Sequence, residues 1–280
     1  PELLDYLASR FVESGWCLKA MHREMMLSRA YRQSARNDAA READPDNALV
    51  GRFRVRRLDA ETIRDSMLAV TGKLNPERFG APVTVGKTGD GRMIPGVEMR
   101  NANGDVTKVD TSSPAVFRRS VYLQHRRTGP ATALATFDLP EMEPNCERRD
   151  SSTAATQSLF LMNDEFIIER GKDLAARVIK EHPEDLDGQI RSAWRLTQGR
   201  DPSAEELKEF RRLLDAQIAH FEKLSPAKPV ADASLKEKVG SSKRKAPFPA
   251  PVAVNRGAQV DALGSLCQAL LASNRFLHVE

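Results

Sequence analysis

The apolar positions of the first thirty residues recur every three or four residues, the spacing of one helical face. In PELLDYLASRFVESG they are Leu3, Leu4, Leu7, Ala8 and Phe11, with Pro1 suited to a first turn and Gly15 to a C-terminal cap. A second run, about Leu18 to Tyr31, repeats the pattern with Leu18, Met21, Met25 and Ala30. The short link makes the two helices antiparallel neighbours. A polar stretch through READPDN follows. Asp59 is then placed to cap a third helix, AETIRDSMLAVTG, whose Ile63, Met67 and Val70 face inward and which Gly72 ends.

Between Lys73 and Thr128 the period changes. Gly and Pro recur, and short alternating runs appear: PVTVG, GVEMRN, DVTKV and RRSVYLQ. NANGD is a hairpin turn signal, with Asn103 and Gly104 suited to positive φ. Residues 73–128 therefore read as a small antiparallel sheet inserted into a helical protein.

Helical spacing returns at Thr153 and runs to about Lys180, with a break predicted at Asn163–Asp164. A further helix holds Ile190, Trp194 and Leu196 and closes at Gly199. In DPSAEELKEFRRLLDAQIAHFEKL, Ser203 stands three residues before Glu206, which is a capping box, and Leu207, Phe210, Leu214, Ile218 and Phe221 trace one face. Residues 225–256, rich in Pro, Lys, Ala and Ser, show no such face and read as a flexible basic linker or loop. A last helix, about Gln259 to Ala272, supplies Leu263, Leu266, Leu270 and Leu271. The expected fold class is mainly α: one multi-helix domain over residues 1–280, a fragment of a longer protein, with a small inserted antiparallel β-sheet.

Charge changes this picture little. The 280 residues carry 43 Lys and Arg against 39 Asp and Glu, a net of +4, although the pI is near 9.0. Much of the excess lies in Lys236, Lys238, Lys243, Arg244 and Lys245, interleaved with Pro and Ser rather than stacking aromatics, so nucleic acid is not an expected partner. No apolar run approaches the roughly 20 residues of a membrane span. Cys17, Cys146 and Cys267 are too few and too far apart for a disulfide framework, which leaves one pair possible.

Metal binding needs several ligands at helical or turn spacing, whereas His22, His125, His182, His220 and His278 stand singly. No CxxCH occurs, so no haem and no other cofactor is expected in this segment. VGKTGDG lacks the order of a phosphate loop and reads as a hairpin.

The densest chemistry is FDLPEMEPNCERRDSSTAATQSLFLMN, Phe137 to Asn163. Cys146 stands near Arg148 and Arg149, and nearby guanidiniums favour a thiolate. Asp138 and Glu147 are candidate bases, and Ser151, Ser152 and Thr153 candidate nucleophiles. The competing reading is structural: Ser152 or Thr153 caps the helix that follows, Asp150 complements its positive end, and Asp138 staples the loop through Arg148, Arg149, Arg118 or Arg119. RFRVRRLDAETIRD brings Arg56, Arg57, Arg64 and Asp65 around a helix start. FRRSVYLQHRR places Arg118 and Arg119 on opposite faces of a predicted strand. Any of these arginines that turns inward needs a carboxylate, with Asp59, Asp65 or Asp138 available; otherwise the charges are solvated.

PELLDYLASRFVESGWCLKAMHREMMLSRAYRQS, RRLDAETIRDSMLAVTGKL, FRRSVYL, the Phe137–Asn163 stretch with DEF after it, GRDPSAEE and LLASNRFLHVE resemble, in order, the planctomycete-specific C-terminal domain of large secreted cytochrome-type proteins. The resemblance covers most of the chain apart from the inserted sheet and the basic linker. It implies an extracytoplasmic setting, periplasmic or secreted, and an upstream domain of the same polypeptide as partner. It assigns no catalytic role. The residues matching the family's motifs, Asp138, Cys146, Arg148, Ser152, Thr153, Gln157 and Asn163, join Arg57, Asp59, Arg64, Arg118 and Arg119 as the candidate polar site. Two functions are expected from this set: a helical scaffold or binding module, with a polysaccharide or a protein as ligand, or a hydrolase or other enzyme with a polar pocket around Asp138, Cys146 and Arg148.

Overall fold

A computed structural model describes residues 1–127, 129–140, 149, 151–224 and 257–279. Residues 225–256, expected to form a linker, and Cys146 and Arg148 lie outside the described residues. In chain order the elements begin α1 (Glu2–Glu13), α2 (Leu18–Leu27), α3 (Asp38–Ala43), β1 (Arg56–Arg57) and α4 (Ala60–Val70). Two hairpins follow, β2 (Val85–Lys87) with β3 (Met93–Pro95), and β4 (Val97–Arg100) with β5 (Val106–Asp110). Then come α5 (Thr132–Thr136), α6 (Ala155–Asn163), α7 (Glu165–Glu181), α8 (Leu186–Gln198), α9 (Ala204–Leu224), α10 (Ala258–Leu271), α11 (Asn274–Leu277) and β6 (His278–Val279). The protein is mainly helical, and its described strands form two-stranded antiparallel sheets.

The chain divides into two compact units, one of Pro1–Leu58 with the chain from Leu277 onward, the other of Asp59–Phe276. In the first unit α1 and α2 are linked by Tyr6 Oη donating to Glu24 (2.9 Å) and by Arg10 against Glu24 (3.7 Å). The predicted apolar faces are only partly covered among the described residues: neither helix has a buried residue, Leu7, Phe11 and Met21 are half-buried, and Leu3 and Leu4 are 70% and 72% exposed. α2 stops at Leu27 rather than Tyr31, because the Ser28 hydroxyl donates back to the Met25 carbonyl (2.7 Å) and accepts from the Tyr31 amide (3.2 Å). Such local bonds give the backbone an alternative to the helix. α3 falls in the stretch read as merely polar, and Asn37 caps it by accepting from the Ala40 amide. β1 pairs with β6, and the Leu58 amide extends the pairing to the Leu277 carbonyl.

The second unit has the larger core. α7, α8, α9 and α10 bury Leu174, Ala175, Val178, Ile190, Leu214, Leu263 and Leu271, while α4 buries Ile63, Met67 and Leu68. The break predicted at Asn163–Asp164 is present: Asp164 ends α6 and caps α7, accepting from the Phe166 amide at 2.9 Å. Gly199 (φ +68°) closes α8, and Ser203 with Glu206 forms the expected capping box, with bonds of 3.2 and 2.7 Å. NANGD turns between β4 and β5, but only Gly104 of the expected pair takes positive φ, because Asn101 Oδ1 accepts from the Asn103 and Asp105 amides. RRSVYLQ is not a strand. It forms a 3-10 turn at Ser120–Tyr122, preceded by another at Pro114–Phe117, with isolated bridges from Arg118 and Leu123 to Asn75 and Val83.

Candidate functional site

α4 brings the first charged groups together. Asp59 precedes its first turn, and Glu61 and Asp65 are four residues apart, so they share a face. Beside that face runs residues 118–125, which contribute Arg119, Ser120 and His125. Leu134 of α5, Leu139 and Arg149 complete the wall. Together they enclose a cavity of about 400 Å³ within the second unit.

Its charges are arranged in pairs. Arg149 donates both Nη groups to Glu61, at 2.7 and 2.9 Å, and approaches Asp59 at 3.9 Å. The Arg149 guanidinium holds the Glu61 carboxyl below its ordinary range against the opposing effect of burial, and His125 adds a smaller pull in the same direction. Asp65 Oδ1 accepts from the Ser120 amide and hydroxyl, both at 2.7 Å, while Arg64 and Arg119 stand 3.5 Å from the Asp65 carboxylate. Asp59 occupies the N-cap position, but its side chain makes no capping hydrogen bond, which corrects the sequence expectation.

Arg64 and Arg118 lie behind this wall, each 4% exposed. Arg64 donates to the Arg118 carbonyl (3.0 Å), the Val116 carbonyl (2.6 Å) and the Ser120 hydroxyl (3.1 Å). Burial pushes its pKa down to about 10, Asp65 pulling upward and Arg170 adding a further push down. Arg118 turns inward, and among the described residues no carboxylate pairs with it, although such a charge was expected to need one. It donates to the carbonyls of Glu77 (3.3 Å), Ala81 (3.1 Å) and Phe79, and stacks 4.0 Å from the centre of the Tyr122 ring. Several carbonyl dipoles and an aromatic face replace a formal counter-charge. Arg118 and Arg119 do part, one buried and one exposed, although not by strand alternation.

At the Phe137–Asn163 loop the expected cap of the following helix is not what the structure shows, while the expected pairing of Asp138 with Arg148 lies outside the described residues. Asp138, at φ +60°, accepts from both the Ser152 amide and the Ser152 hydroxyl at 2.8 Å. Ser152 therefore serves Asp138 and does not cap α6, and Thr153 is exposed. Ala154 takes the N-cap position, and its amide donates to Gln157 Oε1 at 3.4 Å. Phe137 is buried with its ring edge-on to Phe160 at 5.9 Å. This staple holds the ends of a segment whose Leu139 and Arg149 reach the cavity. Asn163 is exposed and donates to the Leu159 carbonyl, and Arg57 belongs to the first unit.

The structure thus gathers Asp59 and Arg119 at one cavity, with Arg64 behind it. Asp138, Ser152 and Gln157 form the adjoining staple. Glu61, Asp65, His125 and Arg149 complete the cavity; the i,i+4 spacing of Glu61 and Asp65 was its one local signal. Among the described residues no group of three His, Cys, Asp or Glu has the geometry to hold a metal ion. Cys17 and Cys267 are free thiols, and burial pushes the Cys267 thiol up, away from the reactive thiolate. No described helix is long and apolar enough to cross a membrane. Comparison with curated proteins and with solved structures found no match. A family model matches residues 1–214, and the chain belongs to that family, PSD1, described as a protein of unknown function (DUF1553).

Proposed function

We propose that this chain is a binding module on a helical scaffold, and that the α4 cavity receives the hydroxyl groups of a saccharide. The placement of Asp59 carries the reading. An aspartate at an N-cap ordinarily accepts from a first-turn amide, a bond worth about 1 kcal/mol. Asp59 forgoes that bond and lines the cavity instead. A capping bond forgone for no more than a 3.9 Å approach to Arg149 is the pattern of a functional position. The Glu61–Arg149 and Asp65–Arg119 pairs set an acceptor beside a donor, which suits vicinal hydroxyls, and Thr62, Ser120 and Gln124 add neutral polar groups. The sequence resemblance supports an extracytoplasmic setting and an upstream domain of the same polypeptide as partner. The exposed Leu3, Leu4 and Leu18 of α1 and α2 suit that partner as well.

Calorimetric titration with neutral oligosaccharides tests the reading. Asp59→Asn keeps the shape and the capping capacity, so at least a tenfold rise in Kd at unchanged or raised Tm is expected. Wild-type affinity in that variant, or binding of oligolysine in place of saccharides, overturns it. Release of reducing ends, abolished by Glu61→Gln, would instead identify a hydrolase.

A further inference from the structure

A second cavity, about 540 Å³, lies within the larger unit between the two hairpins, the Pro114–Phe117 turn and the first turns of α7. Two of its wall residues are guanidiniums more than nine-tenths buried, Arg64 at 4% exposure and Arg170 at 7%. Phe117, Phe160 and Phe166, with Met93 and Ile94, supply much of the apolar wall. We propose that this cavity binds an organic monocarboxylate with an apolar body, its carboxylate on Arg64 and Arg170 and its hydrocarbon against the phenyl rings.

The balance of charge carries the argument. Asp173 is shared between Arg170 (2.7 Å) and Lys73 (3.2 Å), and Asp65 between Arg64 and Arg119 (both 3.5 Å), so two carboxylates serve four cations. Three further carboxylates line the cavity, but none pairs with Arg64 or Arg170: Asp164 and Glu165 face Arg92, another wall residue (3.3 and 3.4 Å), and Glu169 faces Lys172 (2.7 Å). The three hydrogen bonds donated by Arg64 all go to neutral oxygens, which leaves two of its five N–H hydrogens unassigned among the described residues. Arg170 Nε is buried with no acceptor among the described residues. Both guanidiniums also approach the Phe166 ring, at 6.0 and 5.3 Å, and Arg170 depresses the pKa of Arg64.

Two like charges held together in an apolar site are costly unless an anion joins them, and the guanidinium fork matches a carboxylate. The volume falls in the range of small-molecule sites. An inorganic anion would leave the phenyl wall unused, which favours an organic body. This inference is independent of the saccharide reading of the α4 cavity.

The test titrates the full chain with 3-phenylpropionate, octanoate, 3-phenylpropanamide and inorganic phosphate, by calorimetry and thermal shift. The two acids should bind and raise Tm, and the amide should bind at least tenfold more weakly. Arg170→Gln should weaken acid binding at least tenfold. Ala133→Trp fills this cavity from α5, leaves both guanidiniums in place and lies outside the α4 cavity wall, so it should abolish acid binding; it keeps the test decisive if Arg170→Gln does not fold. Equal affinity for the amide, binding of phosphate alone, failure of both acids to bind, or wild-type affinity in Ala133→Trp overturns the proposal.

Discussion

Gly171 and Gly264 lie where α7 meets α10, and alanine at the two positions should move stability in opposite directions. Both lie inside helices, where replacing Gly by Ala gains about 1 kcal/mol of backbone propensity. At Gly264 a Cβ would meet Lys172 Cγ at 3.6 Å, an ordinary contact, so the gain should survive and stabilise the fold by up to about 1 kcal/mol. At Gly171 the same atom would lie 2.8 Å from the Gly264 carbonyl oxygen, 3.0 Å from Gln268 Cβ and 3.1 Å from the Gln268 amide nitrogen. Two of those atoms are helix backbone and have no rotamer to change. The helices must move apart, and a gap of even about 0.5 Å forfeits roughly a quarter of each contact well along the seam. Overpacking of this kind costs about 1 to 3 kcal/mol, so Gly171→Ala should be destabilising by up to about 2 kcal/mol after the propensity gain of about 1 kcal/mol is subtracted. Thermal unfolding followed by circular dichroism, with urea titration of each variant, measures both. A Gly171→Ala protein more stable than wild type, as Gly264→Ala is expected to be, would refute the close crossing and with it the packing of these helices.

Ser203→Ala should cost about 1 kcal/mol in urea titration, without change in ligand affinity, because it removes one half of the α9 capping box. Arg200 and the Ser203 amide hold the Glu206 carboxyl down at about 2; stability from this group is present above its unfolded pKa and lost as pH falls towards 2, so Glu206→Gln should be less stable than wild type above about pH 4.5, and its acid unfolding curve should lack the loss between about pH 4.5 and 2. Asp138→Ala should cost about 1 to 3 kcal/mol: it removes two charge-assisted bonds to Ser152 at a partly exposed site and puts alanine at φ +60°. Asp138→Asn, which tolerates that backbone, should recover part of the loss in the same assay.

The elements legible in the sequence were those whose signals are local. Ser203 and Glu206 bond each other across three residues, and Asp164 both ends one helix and begins the next, so spacing alone placed α9 and the α6–α7 break. Ser152 misled because a hydroxyl residue ahead of a helix offers a good cap, but Asp138, fourteen residues upstream, takes the Ser152 hydroxyl and Ala154 stands at the N-cap. The partly covered faces of α1 and α2 show the same limit: periodicity states which residues share a face, not whether anything lies against it.

Arg118 carries the lesson into the candidate site. The sequence leaves open whether it turns inward, and the demand for a carboxylate in that case follows from the cost of an isolated buried charge. The chain meets that cost by bringing the carbonyls of Glu77, Phe79 and Ala81 around the guanidinium, a solution built from backbone atoms and so without residue signature. Because Arg118 is satisfied in this way, Asp65 remains available to Arg64, Arg119 and Ser120 at the cavity wall. The residues that shape the site are therefore split between those that carry charge, which composition reveals, and a loop that frees the charge, which only the folded backbone reveals.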